Sequence, residues 1–189
     1  EEEPSSLKLS GKYISSDDVK IICNYPGVKT VRVLDLADNQ VNDEALPVLF
    51  ESENLAQLEE LYLGINFLIG EGLTDIACSS KVKLGNLKKL VISDNRLTDA
   101  SVADFIRSKN FPNLESLDVG WNEVGNETAK ALAEETSFSG LKTLILERSY
   151  IEIEGLKEMV QGDLMNQLQE LNISANKLKD EAVQLIAST

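Results

Sequence analysis

The sequence predicts an α/β fold assembled from consecutive units of strand, turn and helix. Three observations predict it: a motif of spaced leucines recurs along the 189 residues, each copy is followed by a stretch with helical spacing, and the copies cover essentially the whole chain. A motif that recurs about every 27 residues indicates a repeat architecture, in which each unit is stable only when packed against its neighbours.

The first half of each unit is the predicted strand and the turn after it. Five copies show the pattern L-x-x-L-x-L-x-x-N-x-L with few departures: LEELYLGINFL, LKKLVISDNRL, LESLDVGWNEV, LKTLILERSYI and LQELNISANKL. VRVLDLADNQV begins at Val31, and a weaker copy runs from Pro4 through Leu7, Leu9 and Ile14. The seven copies start near residues 4, 31, 58, 87, 114, 141 and 168, with intervals of 27 residues and one of 29. We expect one domain spanning residues 1–189.

The second half of each unit is the predicted helix. Apolar residues recur there with helical spacing: Leu46, Leu49 and Phe50, then Val102, Phe105 and Ile106, then Val183, Leu185 and Ile186. Short polar residues stand just before these stretches and are predicted to be helix N-caps: Asp43, Asp99, Asn126 and Asp180. After the helices, Leu55, Phe111 and Phe138 are predicted to fill the loop that returns to the sheet.

A recurring asparagine follows each predicted strand. We interpret Asn39, Asn66, Asn95, Asn122 and Asn176 as structural rather than catalytic or metal-binding, because an amide both donates to and accepts from the backbone of a tight bend. Ser149 replaces this asparagine in the sixth copy and Lys12 in the first. These departures predict a locally altered turn.

The pattern resembles leucine-rich repeats, and its period of about 27 residues with a full helix resembles their ribonuclease-inhibitor-like subclass. The resemblance implies a curved, right-handed β-α solenoid with a parallel sheet on the concave face and helices on the convex face. It also implies that Leu61, Leu90, Leu117, Leu144 and Leu171 form a buried column along the spine.

Composition disfavours several classes of function. The chain has 18 Lys and Arg against 32 Asp and Glu, a net charge of −14, which would repel nucleic acid. No apolar run is long enough to cross a membrane, and no amino-terminal signal sequence is recognised. Cys23 and Cys78, expected in apolar helical positions, are too few for a disulfide framework. We expect a cytoplasmic protein or, from a bacterium, an effector delivered to a host cytosol.

No catalytic residue, cofactor or metal site is expected. The chain has no histidine, no cysteine pair with zinc spacing and no phosphate-binding glycine loop, and Gly70, Gly72 and Gly85 are interpreted as turn and cap glycines. Adjacent carboxylates such as Glu59 with Glu60, Glu134 with Glu135 and Asp17 with Asp18 are typical of solvated faces in an acidic chain.

Positions are counted from the first residue of each copy of the motif. Because side chains alternate along a strand, positions 3, 5 and 7 are predicted to point to the concave face, and positions 2 and 8 flank them. Position 2 alternates in sign through Arg32, Glu59, Lys88, Glu115 and Lys142 and predicts a row of ion pairs, with Glu60 beside Lys89 as a further pair. Position 5 is partly apolar, and position 7 carries mostly small residues that leave room for another molecule. Position 8 holds the only tryptophan, Trp121, at the rim, and bulky Tyr13, Phe67 and Tyr150 lie nearby at position 10.

These features predict a protein-binding face, because exposed aromatic and arginine side chains around an apolar row are typical of binding hot spots. The predicted partner-binding residues are Tyr62, Ile65, Val91, Asp94, Asp118, Trp121, Ile145 and Arg148. Tyr62, Ile65, Trp121 and Arg148 are the strongest anchors. The alternative is that Tyr62 and Trp121 only cover neighbouring strands.

The favoured function is therefore a non-enzymatic module that binds a protein or peptide on its concave face. One alternative is a regulator of the GTPase-activating type, and another is the recognition arm of a larger effector or ligase. The sequence does not identify the partner or the oligomeric state. We interpret Glu1–Pro4 as a worn terminal cap, and we expect the face beyond the last copy to need further sequence, a packing partner or a frayed helix.

Overall fold

The computed structural model describes residues 5–134, 138–178 and 180–187, without the side chains of Asp180 and Ala187. Several expectations fall outside this range: the cap at Glu1–Pro4, Glu135 of one carboxylate pair, the Asp180 side chain as an N-cap, and the chain end at Ser188 and Thr189.

Seven short strands form one parallel sheet in the order β1-β2-β3-β4-β5-β6-β7. Their bounds are β1 Ser6–Lys8, β2 Val33–Asp35, β3 Glu60–Tyr62, β4 Lys89–Val91, β5 Ser116–Asp118, β6 Thr143–Ile145 and β7 Glu170–Asn172. The second leucine of each motif pairs with the same leucine of the next copy, as Leu61 does with Leu90 and Leu90 with Leu117. The predicted repeat register is confirmed, including the weak first copy.

Helices follow the strands and cover one face of the sheet. They are α1 Ser16–Asn24, α2 Ala45–Phe50, α3 Glu71–Cys78, α4 Asp99–Arg107, α5 Asn126–Ala133, α6 Ile153–Met159, α7 Leu164–Gln167 and α8 Asp180–Ala187, with 3₁₀ turns at Pro26–Thr30 and Glu53–Leu55. The chain is thus an α/β solenoid with the sheet on its concave face and the helices on its convex face.

The core lies between the sheet and the helices. Leu34, Leu61, Leu90, Leu117 and Leu144 are fully buried, whereas Leu171 in the last strand is only partly buried. The predicted return-loop residues Leu55, Phe111 and Phe138 are buried as expected. Phe111 contacts the rings of Phe105 and Phe50 at centroid distances of 4.8 and 5.6 Å, so aromatic packing connects the helical layers of copies two and four.

The recurring asparagines form a ladder of hydrogen bonds, in which Asn39, Asn66 and Asn122 are buried and Asn95 and Asn176 partly buried. In copy three, Asn66 Nδ2 donates to the carbonyls of Leu36 and Leu63, and its Oδ1 accepts from the amide of Val41. Asn39, Asn95, Asn122 and Asn176 make equivalent bonds. Each amide therefore ties its turn to the preceding copy, which confirms the structural interpretation.

Ser149 interrupts this ladder as predicted. Its side chain is buried, and its Oγ has no hydrogen-bond partner among the described residues. The shorter hydroxyl does not reproduce the bonds that the asparagine makes in other copies.

The polar residues predicted as N-caps act on a different helix from the expected one. Asp43 accepts from the amides of Ile69, Gly70 and Gly72 at 2.7–2.9 Å and so caps α3, although it precedes α2. The expectation for Asp43, Asp99 and Asn126 was wrong about the helix they serve. A carboxylate at this position lies nearer to the next copy's helix start than to the free amides of its own helix.

Capping of the next copy's helix recurs along the solenoid. Asp99 accepts from Glu127 and Thr128 at 2.9 and 2.8 Å, which caps α5, and Asn126 accepts from the amide of Glu152 before α6. Copy three has Gly70 at the equivalent position and supplies no side chain. Accordingly, α4 is capped within its own copy by Thr98, which accepts from the amide of Ser101.

The last helix and the two cysteines differ in how far they are exposed. Val183 in α8 is 72% exposed and Ile186 is 42% exposed, so the last described helix has an apolar side without a covering copy. Cys23 is buried in α1, where desolvation raises its pKa to about 11. Cys78 ends α3 and is exposed, which corrects the expectation that it lies in an apolar position.

Candidate protein-binding face

The concave row consists of Tyr62, Val91, Asp118 and Ile145. Strand register places each of them directly beside the next, from β3 to β6. All four side chains are half-buried, because neighbours on the same face of the sheet cover their flanks. The row is therefore a continuous, partly apolar strip about four strands wide.

Small residues lie on one side of the concave row. Gly64 and Gly120 are buried, and a Cβ at Gly120 would lie 3.0 Å from the carbonyl oxygen of Glu147. Backbone packs against backbone here, so the surface beside the row stays low and a partner can approach it.

Tyr62 is less available than the sequence predicts. Its hydroxyl donates to Glu60 at 2.6 Å, and Lys89 Nζ lies 5.2 Å from the centroid of its ring. The predicted Glu60–Lys89 ion pair is not formed in the described part of the chain, because Tyr62 interacts with both groups instead. Tyr62 therefore covers its neighbours and remains only partly exposed.

Asp118 is the carboxylate of the concave row, and its ionisation is perturbed. Burial raises its pKa, and the neighbouring Glu147 carboxylate acts in the same direction. Hydrogen bonds from the Gly120 amide at 3.0 Å and the Ser93 hydroxyl at 3.1 Å oppose the rise. Both bonds orient the carboxylate within the face.

The rim is the turn after the strands, from motif position 8 to position 12. Every residue at position 8 has positive φ: Gly11, Asp38, Ile65, Asp94, Trp121, Arg148 and Ala175. Gly and Asp tolerate this left-handed conformation, but a β-branched or bulky residue is an outlier there. Ile65 at 56° and Trp121 at 55° therefore occupy backbone positions that disfavour them.

The most exposed apolar side chains of the central copies lie on this rim. Ile65 is 53% exposed and Trp121 is 43% exposed, and Arg148 and Asp94 are also exposed at position 8. Of the eight predicted binding residues, four thus form the half-buried concave row and four lie on the adjoining rim.

Three further rim residues belong to this surface and are missing from the predicted set. Phe67, Ile69 and Tyr150 are 50%, 47% and 53% exposed. Phe67 and Tyr150 are bulky residues at motif position 10, a signal in the sequence that could have placed them in the set. Ile69 at position 12 carries no such repeated signal.

Two cation–aromatic pairs occupy the carboxyl-terminal part of the rim. The guanidinium carbon of Arg148 lies 4.1 Å from the centroid of the Trp121 ring, and Lys177 Nζ lies 5.1 Å from that of Tyr150. In each pair the aromatic residue comes from one copy and the cation from the same motif position of the next copy. These contacts hold the large side chains in defined orientations.

The predicted charge row is present at the amino-terminal end of the strands. Glu59 pairs with Lys88 at 2.6 Å and also with Arg32, and Glu115 pairs with Lys142 at 2.7 Å. Lys88 and then Arg32 lower the pKa of Glu59. These charges largely neutralise one another, so the row contributes to register more than to attraction of a partner.

Two findings concern other kinds of site. Within the described ranges, no three or more Cys, Asp or Glu residues are grouped so that they could hold a metal ion. None of the described helices has the length and apolarity that crossing a membrane requires.

Comparisons with known proteins agree with this architecture. A family model described as "Leucine Rich repeat" matches residues 29–47, 112–133 and 166–187. No curated protein sequence matches the chain. Among solved structures, an internalin from Listeria monocytogenes is similar with a TM-score of 0.54 and 18% identity, over 87% of this chain and 41% of the internalin chain.

The chain therefore contains leucine-rich repeats and has their solenoid fold. It spans about two fifths of the internalin chain. Proteins with such repeats generally act in protein–protein interaction. The comparisons do not support the ribonuclease-inhibitor-like subclass in particular.

Proposed function

We propose that this chain is a non-enzymatic protein-binding module that holds its partner on the concave row and the adjoining rim of copies three to six. The leucine-rich repeats and the similarity to an internalin fold support protein interaction as the general role. In this proposal the seven copies act as one domain, and the module works in the cytoplasm, where its two unpaired cysteines remain reduced.

The observation that carries the proposal is the choice of residues at position 8. Copies one, two and four place Gly11, Asp38 and Asp94 in the left-handed turn, which such residues tolerate well. Copies three and five place Ile65 and Trp121 there, and both side chains are about half exposed. Folding gains little from an exposed bulky group on disfavoured backbone, so the placement indicates contact with another molecule.

The concave row supplies the rest of the binding surface. Tyr62, Val91 and Ile145 provide apolar area, and the low backbone at Gly64 and Gly120 gives a partner access to it. The row is flanked at one end by the paired charges and at the other by the aromatic rim. Such an arrangement of an apolar centre with a polar border is typical of protein interfaces.

The structure also supports a non-catalytic role. The carboxylate of Asp118 accepts two hydrogen bonds within the face, and Glu147 accepts one from Asn172. Arg32 is paired with Glu59, and Arg148 lies against the Trp121 ring, so both arginines are engaged with neighbouring side chains. These side chains are engaged in shaping a surface.

A comparative pull-down from the native source tests the proposal. The bait is the chain itself, the wild type against a double variant, Tyr62→Ala with Trp121→Ala. The matched control changes the convex face with Ile21→Ala and Lys157→Ala, both exposed on helices. We expect the concave variant to lose the captured proteins at least tenfold by quantitative mass spectrometry, while the convex variant retains them.

Circular dichroism and thermal melting verify that both variants fold. Equal capture by wild type and the concave variant would refute the proposed face. Loss of capture only in the convex variant would assign binding to the helices instead.

A further inference from the structure

We propose that a depression on the rim between copies five and seven is an anion subsite that takes a carboxylate side chain of the bound protein. The inference rests on the proposed function and names the chemistry of one contact within it. The depression has a volume of about 450 Å³, and its lining includes Trp121, Arg148, Tyr150, Lys177 and Glu123. Pockets of a few hundred Å³ are large enough for a specific ligand group.

Four side chains of the lining carry hydrogen-bond donors with no acceptor among the described residues: Trp121, Arg148, Tyr150 and Lys177. Neither Arg148 nor Lys177 forms an ion pair with any described residue, although seven ion pairs occur elsewhere in the described chain. The side chains of Trp121 and Tyr150 likewise make no hydrogen bond to the described part of the protein, and each is instead in contact with a cation. A group rich in acceptors is the complement of this lining.

The stacking geometry prepares Arg148 for such a group. Its guanidinium carbon lies 4.1 Å from the centroid of the Trp121 ring, and its N–H groups make no ion pair with any described residue, so they remain available to a ligand. A guanidinium edge matches the two oxygens of a carboxylate, and the aromatic contact restricts its motion before binding. Lys177 is held in a similar way against Tyr150.

The charges in the lining favour a monoanion. Arg148 and Lys177 are opposed by the carboxylate of Glu123, which leaves one net positive charge around the depression. A carboxylate neutralises it, whereas a dianionic phosphate would leave an excess of negative charge next to Glu123. The net charge of −14 on the chain also disfavours a polyanion.

The aromatic lining adds a preference for the neighbours of that carboxylate. Trp121 and Tyr150 present apolar ring surface beside the cations. We therefore assign the subsite to a Glu or Asp side chain flanked by apolar residues in an exposed segment of the partner.

The unique tryptophan gives a direct test. Trp121 is the only tryptophan of the chain, so its indole N–H resonance in ¹⁵N-labelled protein reports on the subsite without assignment of the rest. The probe is an acetylated and amidated peptide, Gly-Leu-Glu-Leu-Gly, with Gly-Leu-Gln-Leu-Gly as its neutral isostere. Sodium phosphate at equal ionic strength is the third arm.

We expect the Glu peptide to shift the Trp121 indole resonance in a saturable manner, with apparent affinity at least fivefold tighter than the Gln peptide. Arg148→Gln should abolish the difference between the peptides, and Lys177→Gln should reduce it. Lys157→Gln, which removes a cation from the convex face, should leave it unchanged. The remaining resonances show whether each variant keeps its fold.

Equal responses to the two peptides, no response to either, or saturation with phosphate alone would each overturn the carboxylate subsite. The pull-down and the titration can refute the module and the subsite separately. Capture that depends on Trp121 and Tyr62, combined with equal peptide responses, would retain the module and remove the subsite. A Glu-specific shift without concave-face capture would retain the subsite and remove the proposed module.

Discussion

Ser149 shows what one amide contributes to a turn. The asparagines at this position satisfy backbone groups of two copies, whereas the Ser149 hydroxyl is buried without a partner among the described residues. An unsatisfied buried polar atom costs free energy that a fitting amide recovers.

Ser149→Asn should therefore stabilise the chain by about 1 kcal/mol, since an amide there could reach the carbonyls of Leu146 and Val119 as its counterparts do. Urea unfolding measures the change. The reverse substitution in the preceding copy, Asn122→Ser, should cost about 1–3 kcal/mol. A Ser149→Asn variant no more stable than wild type would show that the sixth turn cannot accept the amide geometry.

At Ile65 the backbone conformation, rather than a missing hydrogen bond, lowers the stability of the fold. At φ 56° a β-branched side chain is disfavoured by about 1–2 kcal/mol, and its side chain is 53% exposed.

We expect Ile65→Asn to raise the free energy of unfolding by about 1 kcal/mol, because asparagine tolerates the left-handed region. Asp94→Asn, at the same motif position, should change it little and serves as the control. The same Ile65→Asn variant should bind the captured partner more weakly. Loss of stability instead would mean that the Ile65 side chain packs more usefully than its exposure indicates.

The rim also shows where sequence reasoning stops at the residue scale. Gly11, Asp38 and Asp94 at position 8 are residue types that tolerate the left-handed conformation found there, but that conformation was not predicted. Ile65, Trp121 and Arg148 obscured the signal, because none of these residue types predicts positive φ. Lys177 was not predicted in the site, since its proximity to Tyr150 depends on how the last turn stacks on the sixth.

At the scale of the helix, the caps connect consecutive copies. Asp99 lies at the first residue of α4, yet its carboxylate accepts from the second and third residues of α5. From the sequence alone, the helix that follows directly along the chain is the one that such a residue is expected to cap. The spatially nearer amides belong to the next copy, which only the stacking geometry reveals.

Asp99→Ala should destabilise the chain by about 1 kcal/mol, the usual effect of losing an N-cap. The specific readout is hydrogen exchange: the amides of Glu127 and Thr128 should exchange faster, while α4 retains its cap from Thr98. Asp75→Ala, which removes an exposed acid from α3, is the control. Faster exchange at the start of α4 rather than α5 would contradict the cross-copy cap.

The charge row joins neighbouring strands and gives a pH-dependent term. Lys88 and Arg32 lower the pKa of Glu59 in the folded state, so the stabilisation is present above the pKa of the unfolded chain, near 4.3 for a Glu. As the pH falls from that value through the folded pKa, Glu59 becomes protonated and the contribution is lost.

The free energy difference between wild type and Glu59→Gln should therefore be below about 1 kcal/mol at pH 7 and should vanish under more acidic conditions. Urea unfolding at a series of pH values measures it, and added salt should reduce it as well. A difference that persists unchanged at pH 3 would assign it to side-chain packing rather than to charge.

Across the whole molecule, the contribution of each leucine in the buried column depends on how completely the flanking copies cover it. Leu117 is fully buried between two flanking copies, whereas Leu171 in the last strand is partly exposed. A cavity at Leu117 cannot collapse between fixed neighbours, so its cost is close to the full range for a buried leucine.

Leu117→Ala should cost about 2–5 kcal/mol, and Leu171→Ala less than half as much. Calorimetry compares the two variants with wild type. Equal losses at both positions would indicate that the last copy is as well covered as the central ones.

The architecture was predictable because each leucine of the motif has the same role in every copy. Strand alternation and a period of 27 residues were enough to place Tyr62, Val91, Asp118 and Ile145 side by side, which the pairing of β3 to β6 confirms. The rim was only partly predictable, because its shape depends on backbone dihedrals and on contacts between copies. Its role in binding stays a prediction.

The cross-copy caps also give the solenoid an intrinsic direction. Asp43, Asp99 and Asn126 each deliver acceptors forward, from one unit to the helix after it. Deleting copies one and two strips α3 of its Asp43 acceptor, whereas deletion from the opposite side leaves an unused acceptor in water. Loss of copies from the amino-terminal side can therefore leave helix amides uncapped, whereas loss from the other side leaves only spare acceptors.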